Sequence, residues 1–432
     1  MKYCSRCLYP QNAKPTILID EEDGLCSGCR YHESRGKVEI NWGDREKMFE
    51  KIVSEAKRMA KERKNLYDCV IPVSGGKDSQ FQVWTLKEKY GLNPLLVTFN
   101  HCYNMESGLR NLESLVDKSG CDLIRFTSNV KSVKKISRFM LEEVGDLTWH
   151  YHAGIRTFPI RVAVEKNIPF IFWGEHGFGE LTGIVSLEDF VEFTKWTRKQ
   201  HDMRGYEPVD VINASKGKIM MEDLSPYVYP TDEEIEKTSL RGIYMSNYFY
   251  WDALSHVRFM MEKWDFAPVT FRRGRTFNLY AKIEDHANEV HDYLKFLKFG
   301  YGRATDDASM EIRHGRMTRE EGIEMVKKYD RNEPTSLKVY LEFLELTKEE
   351  FYQLVEPMRD LNIWRRENGE WVLKDGVENH LVTQFTQSSK VKQSNERTFS
   401  DFNRNLYYND LNPPVPRGDR RCDEQNLFFK IL

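Results

Sequence analysis

No stretch of this 432-residue chain approaches the ~20 consecutive apolar residues that a membrane-spanning helix requires, so no membrane role is expected. The opening MKYCSRCLYP has no apolar core of the kind a secretory leader carries, and the cytoplasm is the expected compartment. A dominant charge is missing too. The 64 Lys and Arg stand against 67 Asp and Glu, for a net charge of −3, which removes any global electrostatic case for nucleic acid and leaves only a local basic face open. No repeat of fixed period, no Walker Gly-x4-Gly-Lys-Ser/Thr pattern and no glutaminase nucleophile elbow is found, and no cysteine follows Met1 to act as an amino-terminal nucleophile. What remains is a chain with 13% aromatic and 30% charged residues, long enough for two or three domains with buried cores.

Residues 74–79 read Ser74-Gly75-Gly76-Lys77-Asp78-Ser79. They follow YDCVIPV (67–73), a short bounded apolar run that predicts a buried strand. They precede SQFQVWTLKEKY (79–90), a helix predicted to stop at Gly91. Two glycines let the backbone approach a ligand closely, and the free N–H groups and dipole at a helix start suit a polyphosphate. Lys77 adds a point charge, Ser74 and Ser79 add donors, and Asp78 is placed to hold Mg²⁺. A plain Gly-Gly turn is the competing explanation. The hexapeptide resembles the PP-loop of the ATP pyrophosphatase superfamily, Ser-Gly-Gly-x-Asp-Ser, whose members cleave ATP between the α and β phosphates.

Cys4-x2-Cys7 and Cys26-x2-Cys29 are spaced as in a four-cysteine zinc ribbon over residues 1–40. Such a closed thiolate shell is structural, and the metal supplies folding energy that some 40 residues cannot. Two disulfides, a redox Cys-x2-Cys pair and an iron–sulfur centre are the alternatives. The other cysteines of the eight, Cys69, Cys102, Cys121 and Cys422, show no partner spacing and are expected to be buried hydrophobes.

Downstream, an amphipathic helix is expected over 44–64, with Met48, Phe49, Ile52, Val53, Ala56 and Met59 on one face. Strands at 67–73, 95–99, 122–126 and 168–173 alternate with helices, which predicts a doubly wound parallel α/β sheet over 41–180. Ligands bind at the carboxyl ends of such strands, so Phe99, Asn100 and His101, and Gly174, Glu175 and His176, are expected around the 74–79 loop. Residues 181–240 lose this rhythm and are expected to form an insertion or substrate cap, with a helix carrying Phe190, Phe193 and Trp196 and an acidic helix start at 231–234. A mostly helical continuation over 241–382, including a helix at 280–299, completes the site. His286 and His291 are five apart, off one helical face, and His150 and His152 are expected to be structural. GYGRATDD (300–307) reads as a flexible charged loop suited to pyrophosphate and Mg²⁺ through Arg303, Asp306 and Asp307, or simply as a solvated loop; Arg313, Arg316 and Arg319 are expected at the surface. A polar tail with an apolar end occupies 383–432.

CSRCLYP, CSGC, IPVSGGKDS, IFWGE, GIYMSNYFYWD and FGYGRATDDASMEIRHGRMTREE together resemble the N-acetyl sugar amidotransferases of bacterial surface-polysaccharide and nonulosonic-acid pathways, from residue 1 to about 380. The resemblance implies a PP-loop (adenine nucleotide alpha hydrolase-like) fold and an ATP-dependent, AMP-forming reaction. In it an acetamido group on a nucleotide-linked or nonulosonic sugar becomes an acetamidino group. It implies ATP, Mg²⁺ and structural Zn²⁺ as cofactors, with phosphates on Ser74–Ser79, adenine against Phe99 and Asn100, Gly174 and Glu175 at the site, Lys77, Asp78 and Arg303 in catalysis, and Asp306 and Asp307 in support. It also implies partners: a glutaminase subunit and a cyclase-like barrel subunit that deliver ammonia. A zinc-ribbon PP-loop enzyme of tRNA 2-thiolation is the alternative, and a non-catalytic ATP-binding scaffold is a third.

Overall fold

Why these residues build a parallel sheet is visible in the strands themselves, which are apolar on both faces. In the computed structural model, which describes residues 1–11, 17–36 and 40–381, the chain runs α1 (Ser27–Gly36), α2 (Trp42–Arg63), β1 (Cys69–Pro72), α3 (Lys77–Trp84), β2 (Pro94–Phe99), α4 (Glu106–Ser119), β3 (Leu123–Phe126), α5 (Val130–Val144), α6 (Trp149–Glu165), β4 (Phe170–Trp173) and α7 (Gly177–Thr182). After a stretch of short helices come β5 (Arg241–Tyr244), α8 (Ala253–Trp264), α9 (Ala287–Phe299), α10 (Arg303–Arg313) and α11 (Arg319–Tyr329), and further helices and a two-stranded hairpin follow. The tail expected over 383–432, with Cys422, lies outside the described residues.

The five strands pair in the order β3-β2-β1-β4-β5, all parallel. Every residue of β2 and β4 is buried, as expected of strands covered on both faces. Val70, Val97 and Ile171 meet Ile160 and Ala163 of α6 on one face. Ile71, Leu96, Phe172 and Ile243 meet Phe49 and Ile52 of α2 and Val257 and Met260 of α8 on the other. In α2 the predicted stripe is buried at Phe49, Ile52, Val53 and Ala56, whereas Met48 faces solvent. Cys69, Cys102 and Cys121 are buried, as expected. Among the described residues no helix is long and apolar enough to cross a membrane.

Five local expectations are corrected. A fifth strand occurs at Arg241–Tyr244, where the sequence shows only dense aromatics; its four residues are too few to display a period, and pairing with β4 defines it. Residues 181–240 therefore lie within the β4–β5 crossover. Phe190 and Phe193 sit outside any helix: the Phe193 N–H donates to the Gly242 carbonyl at 2.8 Å, and its ring stacks on Trp173. The helix expected from Tyr280 begins only at Ala287, because Arg273 donates to the carbonyls of Asn278, Ala281 and Lys282 and holds that stretch in an irregular turn.

The fourth correction concerns GYGRATDD, which is neither a flexible nor a solvated loop. Gly300, at φ +76°, ends α9, and Gly302 opens α10. The buried carboxylate of Asp330 accepts from the Gly302 and Ala304 N–H groups, both at 2.8 Å, and from the Thr305 hydroxyl at 2.6 Å. The helix start that looked ready for an anion thus binds one from its own chain. The arginines expected at the surface are drawn inward as well: Arg313 and Arg319 are buried, and Arg316 pairs with Asp252 and Glu311. The acidic start at 231–234, by contrast, forms as its composition suggests, with Thr231 and Glu234 in a capping box that opens the helix Asp232–Thr238. Replacing Asp330 with alanine strands the buried donors at 302–305, and chemical denaturation is expected to show a loss of about 2–4 kcal/mol, against little change for Glu320→Ala on the exposed face.

Candidate functional site

The order of strands reverses at β1, with β2 and β3 on one side and β4 and β5 on the other. In open α/β sheets the crevice at such a reversal, beyond the carboxyl ends of the strands, is where ligands bind. Ser74–Ser79 occupies that position. Gly75 has φ +84°, and a Cβ there would come within 2.7 Å of backbone atoms of Gly108 and Leu112, so only glycine lets α4 press this closely on the loop. Gly76 opens α3 without any side-chain cap, leaving the first-turn N–H groups of that helix to serve the loop. Ser74 Oγ accepts from the Gly76 N–H, and Ser79 Oγ donates to the Gly76 carbonyl.

Charged groups converge here. Lys77 pairs with Asp78, and Asp78 also accepts from Nδ1 of His256 at 3.0 Å. Burial works against both charges, but the opposite charges prevail: Lys77 is held above its ordinary pKa by Asp78 and Glu175, and Asp78 well below by Lys77 and His256. The His256 ring stacks on Phe81 at 3.8 Å, which fixes its orientation. In Glu175, just past the end of β4, burial, then the negative charge of Asp78, push the carboxyl up to about 7. Glu284 closes the opposite side, since a Cβ on Gly76 would stand 2.6 Å from its Oε1. A pocket beside the loop is lined by Ser74, Asn100, His101, Asn104, Arg125 and Glu284.

The structure therefore places Ser74 to Ser79 and Glu175 together, with Asn100 at the pocket edge. Phe99 lines the same pocket, but its ring is buried against Gly154, Phe126 and Tyr227. Gly174 serves packing: a Cβ there would meet Gln82 of α3 at 2.3 Å. His176 accepts from the Gly179 N–H and so caps α7. Arg303, Asp306 and Asp307 lie in a separate buried network. Arg303 holds Asp292 through two hydrogen bonds, Asp306 accepts from the Tyr9 hydroxyl at 2.8 Å and pairs with Lys295, and Asp307 accepts from Thr276. Their partners include no residue of the 74–79 loop. His256 and Glu284 are functional candidates that sequence reasoning misses. Neither belongs to a motif, both lie about 180 to 210 positions beyond the loop, and only tertiary packing brings them there.

The four cysteines form a compact cluster. Their Sγ atoms all lie within 4.8 Å of one another and are buried, with Cys7 to Cys26 at 3.5 Å and Cys4 to Cys29 at 3.8 Å. A single zinc with Zn–S of about 2.3 Å sets tetrahedral S···S edges of about 3.8 Å, so the cluster has the geometry of a structural zinc site. Disulfides, at about 2.05 Å, do not match. The cluster's surroundings fit bound thiolates, since the Arg6 and Cys26 N–H groups donate to Cys4 Sγ and Arg313 donates to Cys7 and Cys26 Sγ. The same Arg313 donates to the carbonyls of Glu180 and Leu181 in α7, and Arg35 of α1 pairs with Glu180 at 2.7 Å. The ribbon thereby braces the helix that starts just after Glu175.

Residues 262–377 match the family model described as LPS biosynthesis protein WbpG-like, C-terminal domain. The match supports a surface-polysaccharide biosynthesis family. That region supplies Glu284 to the loop, and Tyr280, whose ring lies 5.8 Å from the Lys77 ammonium. The chain is also 26% identical over 157 residues to an uncharacterized protein of Methanocaldococcus jannaschii, a span of 34% of this chain and 54% of that protein. It thus spans about half the length of this curated relative.

Two measurements check this geometry. Elemental analysis is expected to find one zinc per chain, lost together with much of the thermal stability in Cys26→Ser. Glu175 gives a pH signature. Its folded value of about 7 lies above its ordinary 4.5, so the folded chain binds this proton more tightly than the unfolded chain, and stability is lost as pH rises through that window. Glu175→Gln is therefore expected to raise Tm relative to the parent at pH 8, with the gain vanishing near pH 4.5.

Proposed function

We propose that this protein is an ATP-dependent, AMP-forming amidotransferase of the PP-loop type that converts the acetamido group of a nucleotide-linked or nonulosonic sugar into an acetamidino group in surface-glycan biosynthesis. One observation carries the reading: an uncapped helix start, Lys77 and the carboxylates of Asp78, Glu175 and Glu284 meet at the reversal point of a parallel sheet. The glycan setting rests on the WbpG-like match over residues 262–377.

An amide oxygen is a poor leaving group. Its attack on the α-phosphate of ATP gives an O-adenylyl imidate and pyrophosphate, and ammonia then displaces AMP to leave the amidine. Charge builds on the phosphates, so fixed donors supply most of the stabilisation. The first-turn amides of α3 and Lys77 take the pyrophosphate oxygens. His256 keeps Asp78 turned toward the loop. Mg²⁺, for which Asp78 and Glu175 offer hard oxygen ligands, would neutralise phosphate charge when bound. Ser74 and Asn100 receive the nucleoside, and the acetamido group enters the pocket on its His101 and Glu284 side. Arg303, Asp306 and Asp307 act from a distance, by fixing the ribbon and α10.

Ammonia comes from a glutaminase subunit working with a cyclase-like barrel subunit, in the cytoplasm. A tRNA 2-thiolase would need a reactive thiol besides the ribbon. Among the described residues the cysteines besides the ribbon, Cys69, Cys102 and Cys121, are all buried, with burial pushing Cys69 well up and Cys102 up to about 12, which weighs against that alternative.

The test offers ATP, Mg²⁺, ammonium and a panel of N-acetylated nucleotide sugars and nonulosonic acids, with mass spectrometry scoring replacement of oxygen by NH. AMP, pyrophosphate and amidine should appear together, with ammonium but not with glutamine for the chain alone. Lys77→Ala is expected to cut AMP formation by about 10²–10³-fold while the fold persists by circular dichroism. AMP-free reactions across the panel, or a tRNA mobility shift at physiological salt, would sink the reading.

A further inference from the structure

The pocket beside the loop contains a histidine that the phosphate machinery does not use. His101 follows the end of β2, and its Nδ1 lies 2.7 Å from Oδ2 of Asp285. Asp285 is buried, and its other oxygen accepts from the Asn288 N–H at 3.0 Å. Burial alone would favour its acid form, but His101 and Lys282 hold it below its ordinary pKa, so it stays a carboxylate, which can only accept. The shared proton is therefore on Nδ1, and Nε2 is the nitrogen left to exchange a proton with the pocket.

The ring has little freedom. It stacks on Tyr151 at 4.5 Å and 19°. The segments that carry the pair are stitched together by the Asn104–Asp285 bridge, by the Met105 N–H to the Glu284 carbonyl at 2.9 Å and by the His286 N–H to the Tyr103 carbonyl at 3.0 Å. His101 lines the same pocket as Ser74 and Glu284. An imidazole fixed in one tautomer by a buried carboxylate, beside a site that receives substrate, is the arrangement of a proton acceptor.

We propose that His101 is the base that takes a proton from the incoming ammonia, with Asp285 as its positioning residue. The assignment rests on the amidotransferase reading above. Nitrogen forms its bond to the imidate carbon, and an N–H proton passes to Nε2 of His101. The C–O bond to AMP then breaks, its electron pair leaving on the phosphate oxygen, and the strongly basic amidine takes the proton back from the imidazole.

The experiment separates the two half-reactions. Pyrophosphate exchange into ATP, measured without ammonium on UDP-N-acetylglucosamine and N-acetylneuraminic acid, reports activation of the amide. Amidine formation after adding ammonium reports displacement. In His101→Asn, exchange should persist while amidine formation falls by about 10²–10⁴-fold, and hydroxylamine, whose adduct carries a more acidic N–H that water can remove, should restore turnover, with the amidoxime as product. Nitrogen-15 spectra of labelled histidine should show His101 protonated at Nδ1, with the proton redistributed in Asp285→Asn. Loss of both half-reactions together, no rescue by hydroxylamine, or a proton on Nε2 in the parent would overturn the proposal. Absence of exchange in the parent with both sugars would overturn the functional reading, and this proposal with it.

Discussion

The guanidinium of Arg313 is the contact on which the rest of the molecule turns. It donates at once to two cysteine sulfurs of the ribbon and to two carbonyls of α7, and Gly28 is glycine because a Cβ there would lie 2.3 Å from it. A charge this deep is tolerated only where anionic thiolates and carbonyl dipoles surround it. Remove the thiolates and the arginine is left with too few partners; remove the arginine and the ribbon loses its seat. The Arg35–Glu180 pair repeats the logic a few residues away, and breaking one partner of such a pair costs about 3–5 kcal/mol. The amino-terminal cysteines are therefore part of the architecture that sets α7, and through α7 the end of β4 with Glu175.

A second constraint acts at the loop. Gly75 and Gly76 are approached from two sides, by the backbone of α4 and by Glu284, so the loop is walled by parts of the chain far apart in sequence. The positive charge at Lys77 is matched within the protein by Asp78, whose other oxygen accepts from His256. Glu175 feels Lys77 as well, but burial and Asp78 outweigh it. Burial and a like charge hold its carboxyl up at about 7.

What could be read from the sequence divides along the range of the interactions. The first four strands, the 74–79 turn and the helix around Phe49 were legible because period, glycine placement and flanking caps are local signals. The paired Cys-x2-Cys spacing was legible for the same reason, and the cluster it forms is compact. GYGRATDD misled because its composition is that of an anion-binding turn, while the residue that fills that turn, Asp330, comes from the far end of the next helix. Arg313 and Arg319 misled in the same way: a charged residue on a helix is ordinarily solvated, and only the ribbon's sulfurs and carbonyls, far upstream in the chain, make burial favourable. His256 and Glu284 carried no local signal at all.

The distance along the chain between the cysteines and Arg313 has a consequence for synthesis. At about 5–20 residues per second, the ribosome finishes Cys29 about 15–60 s before it reaches Arg313. During that interval the ribbon can take up metal but has neither the guanidinium nor α10 to rest against. Until then the four thiols lack the buried setting that Arg313 and α10 give them, and metal uptake and oxidation compete for them without help from the rest of the chain.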